Sequence, residues 1–549
     1  MSITINWRFV FTFCSLLLLH STIKSESPNR RVHKRIVPNS ERIFLIHADR
    51  LRFNQFDNPD ANILNGNVKF MHLNMTMSCD SAYFYKESNS FEAFGHVKML
   101  QGDTLSLVGE YLYYDGIAQI AQVRKNVVLK HRNSILKTDS LNYDKLYDVG
   151  YFFEGGELKE DKNVLTSDWG EYSPKTREAI FNYKVKLVNP KYVLKSDTLH
   201  YNTRTKWAHM IGPSNVEEGN NRIYTEDGYY NTQTEASRLY GRSIIKSDGK
   251  EMCGDSMFYN KQRGIMEGFH KVACLDKKNK NLLLGDYCYY DEKKGYAVTT
   301  KRALVKDFSN TADTLFLHAD TFKVFTYNIN TDSVYRKVNG YNHVRAYRSD
   351  IQSVCDSLSY DSKIRRLSLY GNPIIWNSNQ QLLGEEIHAY MNDSTIDSAH
   401  VVRQALLVEQ VDTIHYHQIA SREMMAYFEK GEMTWSRAIG NVQTIYYPFD
   451  SDSIMIGLNR LETTDLRMFL ENRKMKRIWG AASSGILYPL AFIQSDQMYL
   501  ESFAWFDYMR PKDKTDLFNW VGKQAGTELK ASYRHEVPYQ TLQRIINKN

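Results

Sequence analysis

Thr138-Asp139-Ser140-Leu141-Asn142-Tyr143-Asp144 is the stretch that decides the fold of this 549-residue chain. Its first acid is followed by an apolar residue two positions later and by an aromatic residue four positions later, and a turn-forming residue closes it. The pattern recurs, closely or loosely, to give thirteen copies at intervals of 29 to 37 residues. A repeat period that persists along most of a chain indicates a repeat architecture. The acids that open the copies are Asp49, Asp80, Glu110, Asp139, Asp168, Asp197, Glu226, Asp255, Asp286, Asp320, Asp356, Glu386 and Glu423.

Each repeat has the pattern of two β-strands. The residues after the acid alternate between apolar and polar, which is strand periodicity. A polar turn such as Lys86-Glu87-Ser88-Asn89 follows, and then a second strand that often closes on Gly-x-Val, as at Gly95-His96-Val97. The connections are too short for crossover helices, so we expect antiparallel sheets. Because each strand has one apolar face, a second sheet has to cover that face, as in a sandwich, jelly roll or solenoid.

The composition favours a long array over a single globular core. A chain of 549 residues is too long for one ordinary core, whereas each unit of an array buries its apolar face on its neighbours. The 37 Tyr and 26 Phe favour strands, and only 11 Pro interrupt hydrogen-bond ladders. We assign β-repeats to residues 43–200 and 201–445. Residues 446–549 break the period and are predicted to form a C-terminal capping segment over the open end of the array.

Residues 1–25 have the features of a secretory signal peptide. Arg8 precedes an apolar run from Phe9 to Leu19, which is too short to span a bilayer and favours cleavage over anchoring. Residues 26–42 are predicted to form a linker. Without the signal peptide, 68 basic and 63 acidic residues leave a net charge of +5. The one basic cluster lies in the linker, and no basic stripe indicates a nucleic-acid partner.

The sequence contains no motif that indicates catalysis. It has no Gly-rich phosphate loop, no H-E-x-x-H and no G-x-S-x-G, and its sixteen His are dispersed. A repeated acid is a poor candidate for an active site, which is needed once, and calcium loops cluster several acids instead. We therefore expect no enzyme activity, no cofactor and no metal site. Each repeated acid is interpreted as the cap of a strand entry.

The repeated apolar face has two interpretations. Its residues form an ordinary dry core, or the two sheets stay partly apart and the interior runs lengthwise as a groove for acyl chains. Periodicity does not decide between the two. The groove candidates are the second and fourth residues after five of the acids, namely Leu112, Tyr114, Leu141, Tyr143, Leu199, Tyr201, Met257, Tyr259, Leu358 and Tyr360.

Five cysteines remain after removal of the signal peptide, and they allow either free buried thiols or a disulfide. Cys253 and Cys274 lie symmetrically about the turn at Arg263-Gly264, and Cys274 and Cys288 lie symmetrically about Asn281. In a simple hairpin such residues face each other at disulfide distance. Arg263-Gly264 is the clearer turn, so the candidate disulfide is Cys253–Cys274.

The repeat resembles that of the LptA/OstA family of lipopolysaccharide transport. The resemblance rests on Gly66-Asn67-Val68, on Gly95-His96-Val97 and on Asp139-Ser140-Leu141-Asn142-Tyr143. It extends over residues 43–445 and is strongest over 43–200. It implies an elongated antiparallel β-jellyroll in the periplasm, here built from about thirteen two-stranded repeats of roughly 30 residues. In that family a hydrophobic groove is stacked end to end and carries lipopolysaccharide from the inner to the outer membrane. With its many repeats and its own C-terminal segment, this chain looks like the long OstA-like proteins of some Gram-negative bacteria.

The resemblance leads us to expect a non-enzymatic, lipid-binding bridge in the periplasm that takes part in lipopolysaccharide transport and outer-membrane assembly. Its expected partners are lipopolysaccharide or another acylated lipid, and other jellyroll proteins joined by edge-strand pairing. One alternative is an outer-membrane β-barrel, but the outward faces carry Lys, Asp and Asn and the mean hydropathy is −0.50. Another is a polysaccharide-binding β-solenoid, which requires a cluster of acids and aromatics on one outer face, and the sequence shows none.

Overall fold

The computed structural model describes residues 41–54, 58–247, 249–309, 313–392, 395–471 and 474–524. The predicted signal peptide, and the predicted linker up to residue 40, lie outside these residues. The described residues contain β-strands and short 3₁₀ turns but no α-helix, and every strand pair is antiparallel, so the predicted all-β antiparallel fold is confirmed. The strands are β1 (Phe44–His47), β2 (Arg50–Asn54), β3 (Asn58–His72), β4 (Met75–Tyr85), β5 (Ser90–Gln101), β6 (Leu105–Asp115), β7 (Ile120–His131), β8 (Ser134–Asp144), β9 (Val149–Phe152), β10 (Gly156–Glu160), β11 (Asn163–Ser167), β12 (Trp169–Ser173), β13 (Glu178–Val188), β14 (Val193–Asn202), β15 (Trp207–Glu218), β16 (Asn221–Asn231), β17 (Ala236–Ser247), β18 (Lys250–Asn260), β19 (Ile265–Asp276), β20 (Asn281–Asp291), β21 (Tyr296–Asp307), β22 (Leu315–Tyr327), β23 (Tyr335–Tyr347), β24 (Ile351–Asp361), β25 (Arg366–Tyr370), β26 (Ile374–Asn377), β27 (Gln380–Leu383), β28 (Glu386–Met391), β29 (Ile396–Gln410), β30 (Tyr416–Glu429), β31 (Glu432–Tyr446), β32 (Gly457–Glu471), β33 (Lys474–Ala481) and β34 (Ser484–Pro489).

The long strands bend once, near the middle, at a fixed place in the repeat. In β5 the bend is Gly95-His96, whose φ angles are 72° and 42°, and in β7 it is Lys125-Asn126, at 61° and 51°. The register with both neighbouring strands shifts at each bend. Such a local irregularity changes the direction of the strand, as a β-bulge does. Because the bends recur in every second strand at the same level of the sheet, the whole sheet folds along one line.

Most of the repeated acids lie at these bends, in the middle of strands, whereas Asp49, Asp168 and Glu386 lie at the start of the short strands β2, β12 and β28. Asp80 is the sixth residue of β4, and its carboxylate pairs with the ring of His96 in the β5 bend at 2.7 Å. Asp168 accepts a hydrogen bond from Lys184 in the same way at 2.9 Å. The interpretation of the acids as caps of strand entries is therefore wrong for the acids inside long strands, because β4, for example, begins five residues before Asp80. The acid instead stabilises the bend of the next strand.

The line of bends divides the sheet into two walls that face each other. Wall A consists of the strand halves that precede the acids, together with the parts of the neighbouring strands that pair with these halves. Wall B consists of the strand halves that follow the acids, together with the parts of the neighbouring strands that pair with them. In β4, Met77 and Cys79 of wall A and Ala82 and Phe84 of wall B are all buried between the walls. The second and fourth residues after the acid therefore point inward, as predicted. Where a long strand is interrupted at the bend, two short strands take its place, one in each wall. Next to β8, for example, β10 lies in wall A and β9 lies in wall B.

We predict that the corner tolerates no side chain where a glycine faces an acid. A Cβ at Gly95 would overlap with the Asp80 carboxylate, in addition to the strain of its positive φ. Gly95→Ala should lower the free energy of unfolding by about 1–3 kcal/mol. Gly102→Ala is the matched control, because Gly102 also has a positive φ but a Cβ added to it would meet no atom within 4 Å. The measurement is urea unfolding, and equal losses in both variants would contradict a specific role of the acid at the corner.

Candidate functional site

The interior between the walls is closed along the N-terminal half of the array. From β3 to β15 the inward side chains belong to one continuous core cluster. Six of the groove candidates lie in it with exposed fractions of at most 1%: Leu112, Tyr114, Leu141, Tyr143, Leu199 and Tyr201. In this half the interior is thus a packed core.

Four tyrosines seal the open edge of this core. Each is the fourth residue after an acid, in wall B, and its hydroxyl reaches a polar group at the end of a wall A strand 41 or 42 residues earlier in the chain. The pairs are Tyr114 with His72 at 2.6 Å, Tyr143 with Gln101 at 3.1 Å, Tyr172 with His131 at 2.9 Å and Tyr201 with Glu160 at 2.7 Å. We call these four the rim tyrosines.

Burial sets the protonation of the rim. It raises the pKa of the Tyr114, Tyr143 and Tyr201 hydroxyls, and it lowers the pKa of the His72 ring. The hydroxyls therefore stay protonated and able to donate, and His72 stays neutral at neutral pH. The sequence indicated that these tyrosines point inward but not which groups they bind, although the constant spacing of the pairs is a signal that could have been found.

The interior opens in the C-terminal half. Two remaining candidates next to the corner, Met257 and Leu358, are buried, whereas Tyr259 and Tyr360, further from the corner, are partly exposed. Other inward apolar side chains away from the corner are also only partly buried, packing against the core from the groove side. They are Ile223, Ile245, Met266, Leu283, Val305, Leu317, Val338, Leu367, Ile375, Leu382 and Met424. From about β16 onward the walls therefore enclose an apolar groove with a packed floor at the corner.

A segment near the C-terminus covers the outer face of wall A in this open half. We call residues 490–524 the strap. Leu500, Phe506 and Met509 of the strap pack against apolar side chains of wall A that point away from the groove. These wall residues are Val354, Ile374, Trp376, Leu383, Leu406, Val408, Ala420, Ile445, Tyr447 and Leu458. In the open half, wall A is thus apolar on both faces, one towards the groove and one towards the strap.

Buried glutamines of wall A hold the backbone of the strap. Gln381 accepts a hydrogen bond from the Phe506 amide at 2.7 Å and donates one to the Ala504 carbonyl at 2.8 Å. Gln418 repeats the arrangement on β30, accepting from the Leu500 amide at 2.9 Å and donating to the Met498 carbonyl at 2.8 Å. Both glutamine side chains belong to residues with no exposed surface. Each side chain thus satisfies one donor and one acceptor of the strap, as a neighbouring strand would.

A buried ion pair holds the other end of the strap. Arg345 on β23 is 1% exposed and donates to the Asp516 carboxylate at 3.0 Å. Burial lowers the pKa of the Arg345 guanidinium, and the Asp516 charge opposes that shift. Arg510 of the strap donates in turn to the Gln352 side chain at 2.7 Å. Removing one partner of a buried pair typically costs about 3–5 kcal/mol, so this end is anchored firmly.

Within the described residues, the region predicted to form a C-terminal capping segment has two parts. Residues 457–489 continue the sheet as β32, β33 and β34, and the strap lies on the outer face of wall A. β32 and β33 form a hairpin. Among the described residues, β33 and β34 pair only with β32, so the end of the array keeps an unpaired edge. The sequence missed the strap because its partners lie far away along the chain.

The structure contradicts the predicted Cys253–Cys274 disulfide. All five described cysteines are free. Cys253 pairs with Ala273, and Cys274 pairs with Met252, because the register of β18 and β19 shifts at the bend. A slip of one residue turns a side chain to the other face. Cys253 consequently points outward, where Arg242 contacts it at 3.4 Å, while Cys274 points into the interior.

The outer face of wall B carries a polar cleft that the sequence did not reveal. Glu171, His200 and His209 are brought together there by pairing of β12 to β15, with Trp207 at one side, around a volume of about 330 Å³. Burial is the main cause that lowers the pKa of His200, and the neighbouring His209 lowers it further. The described residues contain no group of three or more His, Cys, Asp or Glu that could hold a metal ion. Within the same residues, no helix has the length and apolar character needed to cross a membrane.

Comparison with known proteins agrees with the resemblance found in the repeats. Residues 40–197 match the model of a family described as OstA-like protein. The matched range ends within β14, so it lies in the half where the interior is closed. A search of curated proteins finds no match to the chain. The resemblance to the LptA/OstA family is therefore confirmed over these residues.

We predict that docking of the strap depends on Gln381. Gln381→Leu leaves the Phe506 amide and the Ala504 carbonyl without partners, and an unsatisfied buried polar group costs about 1–3 kcal/mol. Limited proteolysis should then cleave the strap several-fold faster than in the parent chain. Gln443→Leu is the control, because Gln443 on β31 pairs with Glu462 instead of the strap. Equal cleavage of the two variants would show that the glutamine contacts do not hold the strap.

Proposed function

We propose that this chain, whose residues 40–197 match the OstA-like family, is a non-enzymatic carrier of lipopolysaccharide or another acylated lipid. In this proposal it binds the acyl chains between its walls and takes part in their transport to the outer membrane. One observation carries the proposal: the inward face of both walls is apolar along the array, and in the C-terminal half it is open.

The chemistry of the groove suits acyl chains. Its half-exposed lining consists of Leu, Ile, Val, Met and Tyr side chains contributed by many strands. An acyl chain gains about 0.8 kcal/mol for each CH₂ group that it buries, and it needs no polar partner at a fixed position. The groove is open on one side along the rims of the walls, so a polar head group can remain in water while its acyl chains lie inside.

The two halves set different requirements for a lipid. In the C-terminal half the walls already stand apart, so we expect lipid to enter there first. In the N-terminal half, passage of an acyl chain requires that the walls separate and that the rim tyrosines release their partners. Each net hydrogen bond contributes only about 0.5–1.5 kcal/mol, so an inserted acyl chain can compensate for several of them. The packed core is therefore the resting state of the same conduit.

The proposal places the carrier in the periplasm. The signal-peptide pattern of residues 1–25 supports export, and the family resemblance supports a route between the two membranes. The edges of the array support assembly with other jellyroll proteins. β1 and β2 pair only with β3 among the described residues, and they expose Phe44, Leu51 and Phe53 at 47%, 59% and 57%. An unpaired apolar edge invites strand addition from another protein.

We predict that lipid contacts one face of each strand in the open half. A photoreactive amino acid in place of Tyr360 or Tyr259, which point inward, should capture an acylated lipid in living cells. The matched controls are Ser359 and Phe258, the preceding residues, which point outward. The chain is recovered from the periplasmic fraction and its adducts are identified by mass spectrometry. Equal labelling at both faces would refute the groove, and absence of the chain from that fraction would refute export.

We also predict that the N-terminal edge is a protein contact. A photoreactive amino acid at Leu51 should form an adduct with another jellyroll protein of the envelope, identified by mass spectrometry. Tyr83 in β4 is the control, because β4 pairs with a strand on each side and offers no free edge. If Leu51 gives no more adduct than Tyr83 does, the edge is not the site of assembly.

A further inference from the structure

Two cysteines face each other across the interior. Cys274 lies in wall A on β19 and Cys288 in wall B on β20, and both side chains pack in the core cluster between the walls. Cys288 is 4% exposed and Cys274 is half-buried. They are not neighbours within one wall, because Cys274 pairs with Leu283 and Cys288 with Gly268. Their contact therefore runs from wall to wall, close to the corner.

The same two positions hold apolar pairs in other repeats. Cys274 is the third residue after the bend at His270-Lys271, and Cys288 is the second residue after Asp286. In three repeats of the closed half these positions are occupied by two buried apolar residues: Met99 with Leu112, Leu129 with Leu141, and Leu187 with Leu199. Both positions thus belong to the buried core in those repeats, and on β19 and β20 both are cysteine.

The two thiols interact directly. The interaction between the two thiols lowers the pKa of Cys288 and raises that of Cys274. The hydroxyl of Thr299 donates a hydrogen bond to Cys288 at 3.4 Å. By contrast, burial raises the pKa of Cys79 and of Cys355 to about 12. Cys288 is thus the buried cysteine on which a thiolate is stabilised.

We propose that Cys274 and Cys288 form a disulfide that joins wall A to wall B inside the open half of the interior. The oxidant is a disulfide donor, either a small molecule or an oxidising protein. The Cys288 thiolate attacks the donor to form a mixed disulfide and releases one donor thiol. Cys274 then loses its proton and displaces the second donor thiol. The two electrons pass to the donor, which ends as two thiols, and two protein S–H bonds become one S–S bond.

The position of the bond gives it a mechanical effect. It lies near the corner, and the next inward residue of β20 towards the rim of wall B, Tyr290, is partly exposed. A covalent link there limits how far the walls can separate at that repeat but leaves the rims free. Because Cys288 is buried, exchange with a donor takes place while the walls are apart, during folding or opening. This inference concerns the thiols alone and does not require that a lipid is the cargo.

The test is peptide mapping without reduction. Full-length protein is refolded and equilibrated with oxidised glutathione, and free thiols are then alkylated before digestion. The expected product is a peptide pair linked through Cys274 and Cys288, with Cys79 and Cys355 free and Cys253 free or glutathionylated. A link from Cys274 to Cys253, free thiols at both Cys274 and Cys288, or glutathione retained on either of them would overturn the proposal.

A second measurement separates the disulfide from a simple packing role. The variant Cys274→Met with Cys288→Leu restores the apolar pair found at Met99 and Leu112 and should fold. Hydrogen exchange in β19 and β20 should slow on oxidation of the parent chain and should not respond to oxidation in this variant. Cys253→Ser is the control and should behave like the parent. An identical response in the parent and in the double variant would also overturn the proposal.

Discussion

The structure depends on a two-residue bend that faces an acid. An antiparallel sheet with one apolar face cannot stay flat in water, and the bends fold it so that the face covers itself. The bend residues adopt a left-handed conformation, which costs non-glycine residues roughly 1–2 kcal/mol each. Glycine removes part of that cost at Gly66, Gly95 and Gly440. Elsewhere hydrogen bonds to the acid, such as that of Lys184 to Asp168, and the burial of both walls compensate for it.

The two halves bury the same kind of wall in different ways. In the N-terminal half the walls pack against each other, and the rim tyrosines tie their edges together. In the C-terminal half wall A has a second core on its outer side, formed with Leu500, Phe506 and Met509 of the strap. This external core supplies burial that does not depend on contact between the walls. The groove can therefore stand open without leaving wall A exposed on both faces, as the proposed carrier function requires.

The candidate site is distributed along the interior. Its character comes from the repetition of inward apolar residues over many strands, and no single side chain defines it. The strap differs in this respect, because Gln381, Gln418 and Arg345 hold it through directed contacts. The interior thus favours binding without positional specificity, whereas the strap has one defined position. This contrast agrees with the proposed carrier, in which the lipid moves along the groove while the strap holds wall A in place.

The sequence by itself determined the repeat, the strands and the direction of their side chains, because alternation and period are properties of neighbouring residues. It therefore predicted that Leu112 and Tyr143 point inward. The tertiary structure alone decided the rest. A register shift of one residue at a bend separated Cys253 from Cys274. The strap reaches its partners across 82 residues at Gln418 and 171 at Arg345, and no local pattern encodes contacts at such distances. Whether an apolar face becomes core or groove depends on how far two walls approach, and that distance is set by packing on both sides of each wall.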